Sequence, residues 1–168
     1  MAEIIKVCEQ KVDAMRFIGK KYSDDDRVDG NFGSHWGQWH LNGWFDAIKK
    51  KIDKHIREIY EDGDAYIGLM HGGHDKPFEY WIGIFMPDGT DVPEGFNYID
   101  FPAGKLGVCW VQGKEDEVFM HEGQCGERLE KEGFDVNTDW CFERYVCPRF
   151  TAPDENGKII LDICFYIK

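Results

Sequence analysis

The chain has 168 residues, of which 20 are Lys or Arg and 32 are Asp or Glu, so its formal net charge is −12. A hydrophobic content of 42% and an aromatic content of 15% are too high for a disordered acidic tail, and the length fits one domain. The negative charge argues against direct binding to a nucleic-acid backbone or an anionic membrane leaflet, because both need a basic surface.

The first half of the chain predicts two strands, a long helix and two further strands. An acidic stretch at 23–33 predicts a solvated loop before the helix, and Ser34 is the predicted N-cap of a helix that ends near Gly63. The four predicted strands are the apolar runs 4–12, 15–22, 65–71 and 78–86. The apolar stripe of the helix, spaced three and four apart, consists of Leu41, Trp44, Phe45, Ile48, Ile52, Ile56 and Ile59.

The second half repeats this order around a helix predicted at 115–132, which Gly133 ends. Its predicted strands are 96–102, 105–112, 139–146 and 159–167. The inward side chains of its helix are Val118, Phe119, Cys125 and Leu129. Neither half has enough core to be stable alone, so we expect both to share one sheet system in a single domain, 1–168, with repeats at about 1–90 and 91–168. The similarity of 17–19 to 106–108 favours such a duplication.

The cysteines and the chain start predict a cytoplasmic protein without a metal. No apolar run approaches the length of about 18 residues that a membrane span needs, and the first residues do not resemble a secretory signal. None of the six cysteines forms a C-x-x-C pair, so we interpret them as reduced, mostly buried thiols. A metal loop at 71–75, with its two histidines and an aspartate, is the weaker alternative to a plain turn.

The start of the long helix is the first segment that ordinary packing does not explain. Gly37 and Gly43 each cost a helix about 1 kcal/mol relative to alanine, and Trp36, Trp39 and Trp44 lie close to them. Glycine allows close approach to the backbone, and indole rings offer flat surfaces for an aromatic or cationic ligand. A pocket wall and a plain core that covers the sheet edge remain equal alternatives here.

The strand at 139–146 contains the second unusual segment. Alternation places Cys141, Glu143 and Tyr145 on one face, where a carboxylate would be poorly solvated. Such a Glu is either protonated or needs a cation as its partner, and both states suit a binding or catalytic site. The alternative is an edge strand on which Glu143 pairs with a Lys or Arg of its neighbour.

Other signals for catalysis or cofactor binding are missing from the sequence. There is no G-x-S-x-G nucleophile elbow, no phosphate-binding loop and no dinucleotide fingerprint, so no cofactor is predicted. Cys109 has no His near it in sequence, which leaves a thiol nucleophile without support.

Four segments occur in the order found in a known family: RFIG at 16–19, FPAGKLGV at 101–108, FERY at 142–145 and DICFYI at 162–167. They resemble the GyrI-like small-molecule-binding domain, also called the AraC-type effector-binding domain, over essentially the whole chain. The most specific pieces are PAG at 102–104 and E-x-Y at 143–145. The chain differs from the regulators of this family because no helix-turn-helix precedes Met15.

The resemblance implies a duplicated α+β fold with pseudo-two-fold symmetry, in which two helices lie on an antiparallel sheet. It also implies a ligand cleft between the halves with Glu143 at its centre and Tyr145 beside it. Members of the family bind cationic aromatic molecules, hydrolyse cyclopropane-bearing electrophiles, or inhibit DNA gyrase. The candidate ligand-binding residues are Trp36, Trp39, His40, Gly43, Tyr80, Trp110, Cys141, Glu143 and Tyr145.

Three functions follow as hypotheses. The first is a stand-alone sensor or sequestering protein for aromatic, cationic small molecules, in which Glu143 supplies charge and the tryptophans supply stacking. The second is a hydrolase of cyclopropane-bearing electrophiles, in which Glu143 acts on a water and Tyr145 polarises a carbonyl. The third is an interaction module that presents an acidic surface, including Asp24, Asp25 and Asp26, to a partner such as DNA gyrase. Association into a homodimer is a further hypothesis, which concerns the assembly of the chain and is compatible with each of these functions.

Overall fold

The structure is a computed structural model, and it describes residues 1–50, 58, 60, 62–73 and 75–168. Within these residues the chain forms eight strands and three α-helices, with a short 3-10 helix at Asp24–Asp26. The strands are β1 Glu3–Val12, β2 Met15–Ser23, β3 Tyr66–Gly73, β4 Lys76–Pro87, β5 Asn97–Phe101, β6 Gly104–Gly113, β7 Val136–Tyr145 and β8 Ile159–Ile167. The helices are α1 Gly33–Leu41, α2 Trp44–Lys49 and α3 Glu122–Lys131.

All eight strands form one antiparallel sheet in the order β1-β6-β8-β7-β3-β4-β2-β5. Exchanging the strands of the first half for those of the second (β1 for β5, β2 for β6, and so on) gives the same order read backwards. The sheet therefore has a pseudo-two-fold axis between its central strands, β3 and β7. The predicted α+β fold is confirmed, and the two halves share a single sheet in which the first strand of each half, β1 or β5, lies at the edge beside the strands of the other half.

The two faces of the sheet carry different cores because successive strand residues point to opposite sides. On the helix face, α1 and α2 pack over β2, β3 and β4, and α3 packs over β6, β7 and β8. On the other face, large apolar side chains such as Phe17, Phe85 and Phe142 form a separate core. On the helix face, the Trp36 ring of α1 contacts Tyr145 of the central strand β7, and this contact places the candidate site.

The long helix predicted from Ser34 to about Gly63 is wrong in its described part. The helix begins at Gly33, after Phe32, and it is interrupted after Leu41 because Gly43 adopts a left-handed conformation with φ of 65°. Leu41, a predicted inward residue, is 86% exposed. Phe45 and Ile48 are buried as predicted, whereas the predicted positions Ile52, Ile56 and Ile59 lie outside the described residues.

The second predicted helix, 115–132, is also shorter in the structure. Its regular part begins at Glu122, while Val118 is fully buried from the preceding turn region. Cys125 and Leu129 face the sheet as predicted, and Leu129 packs directly on Gly107 of β6.

A buried ionic network holds β7 and β8 together on the face opposite the helices. Arg144 donates to Asp162 at 2.9 Å and to the Tyr60 hydroxyl at 2.8 Å, and it lies 3.2 Å from Asp62. Arg149 also donates to Asp162. The alternative of an edge strand on which Glu143 pairs with a Lys or Arg of its neighbour is wrong, because β7 is a central strand and no such pair occurs among the described residues.

All six cysteines are free thiols, and Cys109, Cys125 and Cys164 are buried while Cys147 is exposed. No helix in the described part of the chain is both long enough and apolar enough to cross a membrane.

Candidate functional site

The candidate site is centred on Glu143, which lies on β7 directly opposite Gly68 of β3. These two residues pair at the pseudo-two-fold axis, where the sheet is farthest from its edges. Glu143 points toward the helix face, and only 7% of it is exposed. The central strand pair thus places one buried carboxyl on the sheet face that carries α1 and α3.

Three hydroxyl or carboxyl groups are hydrogen-bonded to Glu143. The Tyr145 hydroxyl donates a very short hydrogen bond to its Oε2 atom. The Tyr80 hydroxyl from β4 is also hydrogen-bonded to this carboxyl, and it accepts the Trp36 Nε1–H of α1 at 3.0 Å. The third partner is Glu122, the first residue of α3. Side chains from both helical regions and two strands therefore meet at one buried acid.

Glu143 holds its proton because its surroundings disfavour the charge. Burial, followed by the nearby Glu122 carboxyl, raises the pKa of Glu143 to about 8, although the hydrogen bond from Tyr145 acts in the opposite direction. Among the described residues, no Lys, Arg or His nitrogen lies within 4 Å of its carboxyl oxygens. The site is a neutral acid at pH 7 with no counterion in the described part of the chain.

Aromatic rings surround this acid. The Trp36 ring packs edge-on against Tyr145 with a centroid distance of 4.9 Å, and Tyr145 packs edge-on against Phe150 at 4.7 Å. Tyr80 stacks on Phe32 at 4.3 Å. Burial, and next the Glu143 carboxyl, which disfavours a second negative charge beside it, raise the pKa of both Tyr80 and Tyr145, so these hydroxyls remain donors.

A groove of about 260 Å³ runs along α3 from Glu122. Val136 and Phe165 form its apolar floor, and Glu127 and Glu130 line it together with Glu122. Two glycines of α3, Gly123 and Gly126, complete the wall. An added Cβ would meet nothing within 4 Å at Gly123 and only the Phe165 ring, at 3.6 Å, at Gly126. The groove thus combines an apolar floor with acidic walls next to the Glu143 partner.

Cys141 lies on the same face as Glu143 and Tyr145, as predicted from strand alternation. Burial and the two nearby carboxyl groups, those of Glu122 and Glu143, raise the pKa of the Cys141 thiol to about 12. This thiol therefore stays protonated, which makes it an unreactive part of the wall.

The other residues predicted in the α1 region separate into different environments. Trp39 is fully buried in the core beneath α1 and donates its Nε1–H to the Tyr22 hydroxyl at 3.0 Å. The Trp44 ring is covered by the Lys20 ammonium at 4.4 Å. His40 is exposed, and Gly43 forms the left-handed break between α1 and α2. Of the three tryptophans near the helix start, only Trp36 is hydrogen-bonded to the residues around Glu143.

Trp110 is not brought to the site. It pairs with Asp162, which pairs in turn with Arg144, so Trp110 shares the Arg144 face, opposite Glu143. The Arg149 guanidinium covers its ring at 4.7 Å. The prediction of a ligand contact for Trp110 fails because its strand position turns it away from the helices.

Two residues of the site were missed from the sequence. Gly68 carries no pattern in its own neighbourhood, and its importance depends on its pairing with Glu143 across the sheet. Glu122 was included in a helix that was predicted to begin at 115, so its position at the start of α3 was hidden. The E-G-x-x-G spacing from Glu122 to Gly126 could have indicated an open helix face. The metal loop at 71–75 stays a prediction, because His74, one of its two histidines, lies outside the described residues.

The sequence and the fold were compared with known proteins. A family model described as integron-associated effector binding protein matches residues 4–167. No curated protein sequence matches the chain.

Among solved structures, SAV2435 bound to tetraphenylphosphonium has a TM-score of 0.66 and 16% identity, with 98% of this chain and 94% of that chain covered. An integron cassette protein from the mobile metagenome of Vibrio cholerae has a TM-score of 0.54 and 12% identity, with 99% of both chains covered. A hydrolase from Listeria innocua has a TM-score of 0.54 and 12% identity, with 97% and 92% covered. The family match confirms the effector-binding resemblance, and the structures show a shared fold.

Proposed function

We propose that this chain, which belongs to the family of integron-associated effector binding proteins, binds aromatic, cationic small molecules around Glu143. The observation that carries the proposal is a buried carboxyl, 7% exposed, that lacks a cationic partner among the described residues and lies among aromatic rings. A cation placed beside Glu143 would supply the missing counterion and allow the carboxyl to ionise.

The rings and the groove support the same class of ligand. A cation over the Trp36 or Tyr145 ring in a desolvated site gains about 1–2 kcal/mol per contact. The groove beside Glu122 adds apolar surface and two further carboxylates, Glu127 and Glu130, which favour positive charge. A micromolar ligand needs about −8 kcal/mol in total, which a few such contacts and one ion pair can reach. The similar structure of SAV2435 holds tetraphenylphosphonium, an aromatic cation of this class.

Calorimetry with tetraphenylphosphonium tests the proposal. We expect Glu143→Gln to weaken its binding at least about tenfold, because the amide cannot balance the charge. Binding of triphenylphosphine oxide, which is neutral and of similar shape, should change little. Glu155→Gln, an exposed loop substitution, is the matched control and should bind as the unmodified chain does. Equal losses for the cation and the neutral compound would contradict the role of Glu143.

Proton release gives an independent test of the same proposal. Because the pKa of Glu143 is about 8, ligand binding at pH 7 must remove a proton, and we expect release of about one proton per cation bound. Titrations in buffers with different ionisation enthalpies measure this number, which should approach zero near pH 9.5. Affinity should rise up to about tenfold per pH unit below pH 8 and then level off. Binding without proton release at pH 7 would mean that Glu143 does not ionise.

A hydrolase is the second candidate, and the contacts of Glu143 with Tyr145 and Tyr80 favour it. A carboxyl with a pKa near 8 is a competent general base close to neutrality. The Glu143 carboxylate would take a proton from water, whose oxygen attacks a cyclopropane carbon. The ring C–C bond then breaks toward a conjugated carbonyl, whose oxygen takes a proton from Tyr145. The proton that Glu143 took from water passes to Tyr145 across their hydrogen bond, which restores both groups. Product formation from a cyclopropyl ketone, lost in Glu143→Ala and Tyr145→Phe, would support catalysis, whereas stoichiometric binding without product would exclude it.

A protein partner such as DNA gyrase, and a homodimer, stay predictions. Part of the acidic run is already engaged: Asp24 pairs with Arg27 at 2.8 Å, and Asp26 accepts from the Ser23 backbone at 2.7 Å. Co-purification that is lost after neutralising Asp24, Asp25 and Asp26 would support the gyrase interaction.

A further inference from the structure

Gly68 lies directly beneath the contact between Tyr80 and Glu143. A Cβ atom added at Gly68 would stand 2.5 Å from the Tyr80 hydroxyl oxygen and 3.1 Å from Glu143 Oε2. The first of these distances is too short for any real side chain. The space that the two functional groups occupy is therefore the space that a side chain of residue 68 would fill.

This glycine differs from Gly19 and Gly83, which pair with each other on β2 and β4. Added Cβ atoms at Gly19 and Gly83 would each stand 2.1 Å from a backbone carbonyl oxygen of the paired strand, so these two residues serve strand packing. At Gly68 the closest atoms all belong to the side chains of Tyr80 and Glu143. Gly68 thus accommodates the site residues and not the backbone of a neighbouring strand.

The pseudo-symmetry of the sheet makes Gly68 the counterpart of Glu143. In the first half, Gly19 pairs with Gly83, which pairs with Ile67. In the second half, Val108 pairs with Cys164, which pairs with Phe142. Aligning 19 with 108, as the similarity of 17–19 to 106–108 requires, also aligns 68 with 143. At the axis, the second repeat therefore contributes the Glu143 carboxyl, and the first repeat contributes Gly68, which has no side chain.

We infer that Gly68 is a positioning residue of the ligand site, because its missing side chain allows the Tyr80 hydroxyl and the Glu143 carboxyl to meet over the centre of the sheet. Any larger residue separates these two groups and removes the hydrogen bond from Tyr80 to the acid. The inference rests on the proposed function, since it concerns the acid that holds the cation. The groups that face Glu143 are Tyr145 and Cys141 on β7, Tyr80 on β4 and Glu122 on α3.

A titration that needs no ligand tests this role. In protein labelled with ¹³C at the Glu side chains, NMR follows the ionisation of Glu143 in the unmodified chain, in Gly68→Ala, in Tyr80→Phe and in the double variant. We expect Gly68→Ala and Tyr80→Phe each to raise the midpoint by about half a pH unit or more, since both remove a hydrogen bond that stabilises the carboxylate. The double variant should match Tyr80→Phe alone, because the glycine acts through the tyrosine.

The control is Gly104→Ala, a strand glycine at which an added Cβ would meet only the Tyr166 ring at 3.7 Å, an ordinary contact. It should leave the Glu143 midpoint unchanged. If Gly68→Ala does not fold, Gly68→Ala with Tyr80→Phe should fold, because the closest atom has been removed. A Gly68→Ala midpoint equal to that of the unmodified chain, additive shifts in the double variant, or a double variant as unstable as Gly68→Ala would each overturn the inference.

Binding of tetraphenylphosphonium separates this inference from the proposed function. If the cation binds, Gly68→Ala should weaken it about tenfold or more while Gly104→Ala does not. If the unmodified chain does not bind the cation, the proposed function fails, and the NMR midpoints still decide whether Gly68 positions Tyr80 and Glu143.

Discussion

A single uncharged acid defines the site at the scale of residues. Glu143 is surrounded by groups that can donate to it, from Tyr145 and Tyr80, but by no cation among the described residues. Glu122 adds a second acid that opposes ionisation further. A charged, buried and unpaired carboxylate destabilises the fold, whereas the neutral form is tolerated because it is hydrogen-bonded. The site therefore keeps its acid in the neutral form in the absence of a cation.

The raised pKa of Glu143 predicts how stability depends on pH. The folded chain holds the Glu143 proton up to about pH 8, while the unfolded chain releases it near its ordinary pKa of 4.5. The folded state thus binds more protons between these values, and the free energy of unfolding contributed by this group falls as pH rises from about 4.5 to 8. The full loss is on the order of 3–5 kcal/mol. Urea denaturation of the unmodified chain and of Glu143→Gln at several pH values measures it.

Glu143→Gln should lack most of this decline, and above pH 8 it should be the more stable of the two proteins. Glu155→Gln keeps Glu143 and should keep the decline. Parallel pH profiles for the unmodified chain and Glu143→Gln would show that Glu143 ionises normally in the folded state.

At the scale of elements, the helices on the sheet are shaped by glycine. Gly43 separates α1 from α2 because its φ of 65° is left-handed, a conformation that glycine adopts without the steric cost of a Cβ. In α3, Gly123 and Gly126 lie inside the helix although a Cβ atom would fit at both positions. It would meet nothing within 4 Å at Gly123 and only the Phe165 ring at Gly126. Helix stability alone would favour alanine at both positions. The space that larger side chains at these two positions would fill is part of the groove that begins at Glu122.

We predict that Gly123→Ala with Gly126→Ala stabilises the chain and weakens ligand binding. Each substitution should add up to about 1 kcal/mol to the free energy of unfolding, because alanine is the better helix former. The two methyl groups narrow the groove and should lower the affinity for tetraphenylphosphonium several-fold. Thermal unfolding and calorimetry measure the two effects.

The matched control is Gly37→Ala in α1, where an added Cβ also meets nothing within 4 Å and which does not line the groove. It should stabilise the chain without changing affinity. A stabilised α3 variant with unchanged affinity would place the ligand away from this groove.

At the scale of the whole molecule, the proposed ligand site and a buried ionic network lie on opposite faces of the sheet. The helix face carries Glu143, whereas the opposite face carries the ionic network of Arg144, Asp162 and Arg149. Burial of Arg144 and Asp162 is tolerated because each charge has several partners, and these charges keep the pKa of Arg144 above its ordinary value. The network fixes β7, and β7 carries Glu143 and Tyr145 on its other side.

Asp162→Asn should destabilise the chain by about 3–5 kcal/mol, because it leaves the buried Arg144 without its main counterion. Chemical denaturation measures the loss. Asp100→Asn, which breaks the exposed Arg16–Asp100 pair, is the control and should leave the unfolding midpoint almost unchanged. A small effect of Asp162→Asn would mean that Asp62 and Tyr60 are sufficient partners for Arg144.

The sequence by itself determined where the strands lie and which side chains of one strand share a face. Apolar runs located all eight strands to within a few residues, and alternation placed Glu143, Cys141 and Tyr145 on one face. The order of short segments identified the family. These inferences succeeded because strand periodicity depends on neighbours in sequence.

Only the tertiary structure decided which side chains meet at the acid. Strand pairing placed Gly68 and Tyr80 beside Glu143 and turned Trp110 to the opposite face, while helix packing buried Trp39 and left Trp36 at the site. The break at Gly43 and the late start of α3 moved residues that helical spacing alone had assigned to long stripes. Such outcomes depend on register and packing between segments far apart in the chain, and a pattern read along one segment holds no information about the partner opposite it.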